Sequence, residues 1–309
     1  MHAEPPELSV VITCFNEEQS IDEFHRRLRK TLDSLDVSSE IVLVNDGSAD
    51  RTWEKLVGIH ARDPGSTVVD LYRNAGQCAA ISAGIQETRG RHFVFMDSDL
   101  QLDPEELPLL VAEFAKGQDV VNGVRRERND PVLRRIPSFF ANRVLRALAD
   151  VPFTDFGCSF QVMRGDLVRA HGFGPYKPFS NVLVTRSAGR FREVPVSHHE
   201  RPHGESGWST MALWRYLLDN VVLYSQGVFQ IFSLLALLLA LVTLLRIALP
   251  GSILGSINHG FLLNAMLLSS AFVVAVVAFV GEYVLRTFSL HARGPLYVVR
   301  ERRPASGRG

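Results

Sequence analysis

Four short apolar runs, each ending in polar residues and each followed by a helical stretch, constrain this fold more than any other feature. Leu8 to Cys14 reads as a buried strand, exits through Phe15-Asn16-Glu17-Glu18 and leads to a helix from about Ser20 to Ser34. Glu40 to Asn45 is a second strand, ending in Asp46-Gly47-Ser48-Ala49-Asp50. The helix after it starts near Thr52, with Trp53, Leu56 and Val57 on one face. Thr67 to Leu71 is a third strand, ending in Arg73-Asn74-Ala75-Gly76-Gln77. A small-residue helix from Cys78 to Arg89 follows, with Gly90 as its C-cap. Phe93 to Met96 is the fourth strand; a helix from Pro104 to Lys116 and a strand from Asp119 to Asn122 come next. Strands alternating with helices predict an α/β fold, a mostly parallel sheet with helices on both faces.

Strand exits of a parallel sheet share one edge, so Asn16 and Glu17, Asp46, Arg73, Asp97 and Asp99 can converge on one ligand. The sharpest of these exits is Asp97-Ser98-Asp99-Leu100-Gln101. Two carboxylates and an amide oxygen just past a strand are hard oxygen ligands. They suit Mg²⁺ or Mn²⁺, ions that usually share a site with substrate phosphates. Asp103-Pro104-Glu105-Glu106 then predicts a helix start, with Asp103 as N-cap and Glu106 closing a capping-box-like pair.

The pattern loosens after Gly123. Arg125-Arg126-Glu127-Arg128 and Arg134-Arg135 form a basic segment, and Thr154-Asp155-Phe156-Gly157-Cys158 sets an acid among apolar and small residues. His198-His199-Glu200-Arg201-Pro202-His203-Gly204-Glu205-Ser206 is rich in metal-binding residue types, but its Pro and Gly predict a loop, and it has no helical metal motif. A formal net charge of zero argues against nucleic-acid binding driven by overall charge. The three cysteines, Cys14, Cys78 and Cys158, are scattered and fit a reducing compartment. The first residues show no basic region followed by an apolar one, so no secretory signal is expected.

Hydrophobic residues make up 46% of the 309, and the excess lies near the C-terminus. Val228 to Leu249 and Phe261 to Val284 are each long enough to cross a bilayer core as a helix. The connector Pro250 to Gly260 has no charged residue, whereas Arg215 precedes the runs and Arg286, Arg293, Arg300, Arg302 and Arg303 follow them. That asymmetry predicts a transmembrane hairpin with both flanks, and so the α/β domain, on the cytoplasmic side. The expected organisation is an α/β domain over 1–208, an interfacial amphipathic helix over 209–226, the hairpin over 227–284 and a cytoplasmic tail over 285–309, disordered from Pro304.

Val11-Ile-Thr-Cys-Phe-Asn-Glu17, Val44-Asn-Asp-Gly-Ser-Ala-Asp-Arg-Thr52, Arg73-Asn-Ala-Gly76 and Asp97-Ser-Asp-Leu-Gln101, in that order, resemble the family 2 glycosyltransferases of the GT-A (Rossmann-like) fold. Thr154-Asp-Phe-Gly-Cys158, the Arg201 to Ser206 segment and the two apolar runs narrow the resemblance to polyprenyl-phosphate glycosyltransferases, a group that includes bactoprenol glucosyltransferases and undecaprenyl-phosphate 4-deoxy-4-formamido-L-arabinose transferases. Thr13 stands where the family usually has Pro, and Gly207-Trp208 where it often has Lys or Asn before an aromatic.

The resemblance implies inverting, metal-dependent transfer from a nucleotide sugar, with a UDP-sugar as the expected donor, to a polyprenyl phosphate in the bacterial inner membrane. It implies that Thr13, Phe15, Glu17 and Asp46 hold the nucleotide base and ribose, and it counts Arg73 and Ser98 among the substrate-binding residues. Asp97, Asp99 and Gln101 would hold Mg²⁺ or Mn²⁺ and the diphosphate. Arg125, Arg134 and Ser138 would meet the acceptor phosphate, Arg201 and Ser206 would lie on the loop that closes over both substrates, and Asp155 would act as base or as a positioning group. It also allows a tetramer. A processive polysaccharide synthase would normally carry more spans and a Gln-x-x-Arg-Trp motif, absent here. A membrane-anchored binding protein with a dead site is disfavoured by the intact Asp97, Asp99, Gln101 and Asp155. No Gly-x-Gly-x-x-Gly follows the first strand, which disfavours a dinucleotide-dependent dehydrogenase.

Overall fold

The computed structural model describes residues 4–125, 151–199 and 294–305, and a few helical positions between 234 and 284. The chain divides into one compact unit of Met1–Ser209 with Gly294–Gly309 and a second of Thr210–Arg293. The first unit is built on an eight-stranded sheet. In chain order its elements are β1 (Leu8–Cys14), α1 (Ile21–Asp33), β2 (Ser39–Asn45), α2 (Thr52–Arg62), β3 (Ser66–Leu71), α3 (Gln77–Gln86) and β4 (His92–Asp97). A 3₁₀ turn (Pro104–Glu106), α4 (Leu107–Phe114), β5 (Val120–Arg125), β6 (Gln161–Arg164), α5 (Gly165–Ala170), α6 (Asn181–Arg186), β7 (Phe191–Val196) and β8 (Val299–Arg303) complete it. Most of the two long apolar runs lies outside the described residues, and among those described no helix is long and apolar enough to cross a membrane.

The strand order is β7-β5-β6-β4-β1-β2-β3-β8. β1 lies between β2 and β4, parallel to both, with Val11 opposite Val42 and Phe95; β3 continues the parallel set. β6 runs antiparallel to β4 and β5, β7 parallel to β5, and β8 antiparallel to β3. Successive strand residues face opposite sides. Val10 and Ile12 therefore pack with Phe24 and Leu28 of α1, Leu56 of α2 and Leu110 of α4, whereas Val11 packs with Ile81 and Ile85 of α3. Small residues in α3 let it lie close to the sheet: a Cβ on Gly84 would come within 2.4 Å of Val11.

The directions of the strands gather the site. β1 to β5 and β7 all run the same way, so their exits share one edge. β6 and β8 run the opposite way, so their starts arrive at that edge. This brings residues 155–159 and 297–300 to the same side as the exits after Cys14, Asn45, Leu71 and Asp97.

Local readings need correction in three places. Asp103 does not cap a helix: its side chain bonds Arg27 at 2.6 Å and His199 at 2.7 Å, because a charged guanidinium holds a carboxylate more strongly than backbone amides do. Glu106 turns to the backbone and hydroxyl of Ser197 at 2.8 and 2.9 Å, and the regular helix starts only at Leu107. Helix α3 stops at Gln86, and Gly90 is a close-approach residue rather than its cap; a Cβ there would sit 2.4 Å from Ser9 Oγ. The segment read as a tail supplies β8, which extends the sheet beyond β3.

Candidate active site

β4 delivers Asp97 to the edge, where two neutral donors hold its carboxylate. Gln77 Nε2 donates to Oδ1 at 2.5 Å and Ser159 Oγ to Oδ2 at 2.6 Å. Ser98 is buried and donates to the Thr13 carbonyl at 3.0 Å, which ties the β4 exit to the β1 exit. Leu100 takes a left-handed conformation (φ +60°), rare for a non-glycine residue, and this turn lets Gln101 N reach Asp99 Oδ1 at 3.1 Å. The Gln101 carbonyl accepts from His199 N at 2.9 Å, and its Nε2 lies 3.5 Å from the His199 carbonyl. Among the described residues no group of three or more His, Cys, Asp or Glu side chains could hold a metal ion. Asp97, Asp99 and Gln101 offer hard oxygens of the kind that Mg²⁺ and Mn²⁺ take together with water and ligand oxygens.

The β1 and β2 exits are laced together. Asn16 N donates to Ser48 Oγ at 2.9 Å and Ala49 N to Asn16 Oδ1 at 2.9 Å; Glu17 N donates to Thr52 Oγ1 at 2.8 Å. Asn16 is left-handed (φ +56°), a conformation that Asn tolerates better than most residues. Glu17 is buried and accepts from Ser20, while Phe15 is 45% exposed at the mouth of the site. Asp46 reaches across to the β3 exit: Oδ1 accepts from Ala75 N at 2.7 Å and Oδ2 from Gly76 N at 3.0 Å. Burial pushes its carboxyl above the ordinary value, against the pull of those two amides. Arg73, exposed, sits on the loop so anchored.

Arg125 at the end of β5 meets Asp155, carried in ahead of β6, in a two-pronged ion pair of 2.7 and 2.8 Å. Gly157 N adds a bond to Asp155 at 3.1 Å. The pair is largely buried, with side-chain exposures of 17% and 6%. Burial pushes the Cys14 and Cys158 thiols up to about 12, so neither is a thiolate at neutral pH. Arg134, Ser138, Arg201 and Ser206 lie outside the described residues. Sequence reasoning passed over Gln77 and Ser159, although each directly adjoins a motif already singled out.

The α/β sheet thus brings paired carboxylates at one strand exit and a forked Arg–Asp pair to the same edge. Residues 9–171 match the family model described as glycosyl transferase family 2, and the chain belongs to that family of glycosyltransferases. The undecaprenyl-phosphate 4-deoxy-4-formamido-L-arabinose transferase of Pseudomonas aeruginosa (strain LESB58) is 37% identical over 305 residues, which cover 95% of this chain and 89% of that protein. The dodecaprenyl-phosphate galacturonate synthase of Rhizobium johnstonii is 32% identical over 318 residues, 96% of this chain and 92% of that one. Among solved structures, glucosyl-3-phosphoglycerate synthase from Mycobacterium tuberculosis in complex with Mn²⁺, UDP-glucose and phosphoglyceric acid aligns with a TM-score of 0.51. It shares 21% identity over 70% of this chain and 79% of that one, a likeness of fold.

Proposed function

We propose that this glycosyltransferase moves a sugar from a nucleotide sugar, UDP-linked in the first instance, to a membrane polyprenyl phosphate, with inversion at the anomeric carbon. The observation that carries this reading is the meeting, at one sheet edge, of the Asp97 and Asp99 exit with the Arg125–Asp155 pair. Names of relatives that match over nearly the whole chain support the lipid phosphate as acceptor. A structural neighbour solved with Mn²⁺ and a UDP-sugar supports a divalent cation and that class of donor.

In this reading an acceptor phosphate oxygen attacks the anomeric carbon from the face opposite the leaving group. The new C–O bond forms as the bond to the diphosphate breaks, and the nucleoside diphosphate departs with the electron pair. Asp97, Asp99 and Gln101 would hold Mg²⁺ or Mn²⁺, which would supply the charge neutralisation that the departing diphosphate needs. A phosphate monoester has a second pKa near ~6, so at neutral pH the acceptor is already largely a dianion and needs no strong base. Asp155 takes the Nε–NH2 edge of Arg125 and fixes the plane of the guanidinium, whose other edge would meet the phosphate. The Asp46, Phe15 and Glu17 cluster takes the nucleoside end, with Arg73 near the phosphates.

A polyprenyl tail requires the bilayer, and the apolar runs over 228–249 and 261–284 supply a hairpin with both flanks on the cytoplasmic face of a bacterial inner membrane. A cysteine at Ser256, on a background without the native cysteines, is expected to react with an impermeant thiol reagent in intact cells; labelling only after permeabilisation would reverse the topology. The activity is tested with purified protein, polyprenyl phosphate and a panel of UDP-, GDP- and dTDP-sugars, reading lipid products by mass spectrometry. One lipid-linked sugar whose formation needs the cation is expected, and no product from any donor would overturn the reading.

A further inference from the structure

β8 lies far from the site in sequence, yet a continuous run of polar contacts leads from it into the loops assigned above to the nucleotide. Arg300 Nε lies 2.8 Å from Asp70 Oδ2, on a β3 side chain only 2% exposed. Asp70 Oδ1 accepts from Asn45 Nδ2 at 2.7 Å, at the last residue of β2. Asn45 Oδ1 in turn accepts from Ser48 Oγ at 2.5 Å, and Ser48 Oγ accepts from Asn16 N at 2.9 Å. A second branch holds the β3 exit: Arg300 NH2 donates to the Leu71 carbonyl at 3.2 Å, Tyr72 N donates to the Val298 carbonyl at 3.0 Å, and the guanidinium lies 5.8 Å from the centre of the Tyr72 ring. Asp46 grips the other end of that same loop through Ala75 and Gly76.

We propose that Arg300 is a positioning residue for the donor: through Asp70, Asn45 and Ser48 it sets the β1 and β2 exits, and through Leu71 and Tyr72 it sets the loop that carries Arg73. The catalytic domain is thus completed by chain that follows the second apolar run, and its nucleotide end depends on β8. This rests on reading those exits as the nucleotide site. An Asn amide can point either way, and the bond to Asp70 fixes it with its oxygen toward Ser48. In that orientation Ser48 donates its hydroxyl hydrogen to Asn45 Oδ1 and accepts from Asn16 N. Removing the Arg300 charge leaves Asp70 buried and uncompensated, which disturbs its whole set of contacts.

The test uses the full-length protein in detergent or membranes and measures the dissociation constant of UDP, GDP and dTDP together with kcat and both KM values. Arg300→Gln should raise the dissociation constant of the bound nucleotide and the donor KM about tenfold, while acceptor KM and kcat stay within about twofold. Arg300→Lys, which keeps the ion pair but not the fork, should recover most of the loss. Ser48→Ala cuts the far end of the chain and should give the same donor-only defect. Combined with Arg300→Lys or Arg300→Gln, its effect should be less than additive. If Arg300→Gln fails to fold, the Lys and Ser48 variants and their combination decide the matter. Unchanged nucleotide affinity in folded Arg300→Gln, or in Ser48→Ala where Arg300→Gln does not fold, or equal losses on donor and acceptor, would overturn this inference alone. Wild-type protein that binds none of the three nucleotides would overturn the nucleotide reading and this inference with it.

Discussion

Arg125 grips Asp155 through two nearly equal bonds, Nε to Oδ2 at 2.7 Å and NH2 to Oδ1 at 2.8 Å. A carboxylate held in such a fork fixes the plane and direction of the guanidinium. The proposed acceptor, already a dianion near pH 7, gains little from a base. Asp155→Asn is therefore expected to lower kcat by roughly 10- to 100-fold through lost positioning, a range typical for groups that orient a reactant. The alkaline limb of its pH–rate profile should keep the wild-type shape. Rescue to wild-type rates as pH rises through the acceptor's second ionisation would identify Asp155 as the base instead.

Asp99 is 7% exposed and accepts from the backbone N of Gln101 at 3.1 Å. Asp97 is already steered by Gln77 and Ser159. If both face the cation, Asp99→Asn removes a charge that the leaving diphosphate requires, at a cost on the order of 100-fold or more in kcat. The Asn fits the same volume, so the melting temperature should hardly change. Turnover measured against Mn²⁺ concentration checks this, and near-normal turnover at limiting Mn²⁺ would remove Asp99 from the ligand set.

Gly47 and Gly172 have almost the same backbone angle, φ +63° and +62°, but different surroundings. A Cβ on Gly47 would lie 2.3 Å from the Arg73 carbonyl carbon and 2.4 Å from Asn74 N, whereas one on Gly172 meets nothing within 4 Å. Gly172→Ala should cost only the left-handed strain of about 1 kcal/mol. Gly47→Ala adds a backbone clash that must push the β2 and β3 exits apart, so a loss of about 2 kcal/mol or more and a raised donor KM are expected. Urea midpoints of the two variants make the comparison, and equal losses would show that the loops part without resistance.

The parts of this fold that were legible in the sequence are those where one kind of burial dominates. β1 to β4 are covered on both faces and read as largely apolar runs, and their polar exits followed from direction alone. β5 was legible as well, as the run from Asp119 to Asn122, but the strands after it were hidden for physical reasons. β6 has only four residues. β7 carries Arg192, Glu193 and Pro195 and lies at a sheet edge, where charge and Pro are tolerated. β8, Val-Arg-Glu-Arg-Arg, has the composition of a solvated tail because the opposite edge is its place. Asp97 and Asp99 were visible as a local motif. Ser159 reaches Asp97 only because β6 reverses direction, and Arg300 reaches Asp70 across 230 residues; no local spacing encodes either contact.

The cluster that replaced the expected helix cap should reveal itself in acid. Burial tends to raise the Asp103 carboxyl, but the bonds from His199 and Arg27 outweigh it and hold the group below its ordinary value. A carboxylate depressed in this way stays ionised in the folded chain at pH values where the unfolded chain has begun to protonate it. Its stabilisation is complete above the unfolded value near ~3.9 and is lost as pH falls through the lower folded value. Partial exposure and solvent screening keep the contribution within about 1 kcal/mol. Asp103→Asn should therefore lower the urea midpoint at pH 6, and the gap from wild type should narrow as the pH drops below about 4. Arg27 also bonds Glu105, so Arg27→Gln should cost more than Asp103→Asn at pH 6 and show the same narrowing. A gap that stays constant from pH 6 down into acid would mean that Asp103 stabilises the fold through its shape and not through its charge.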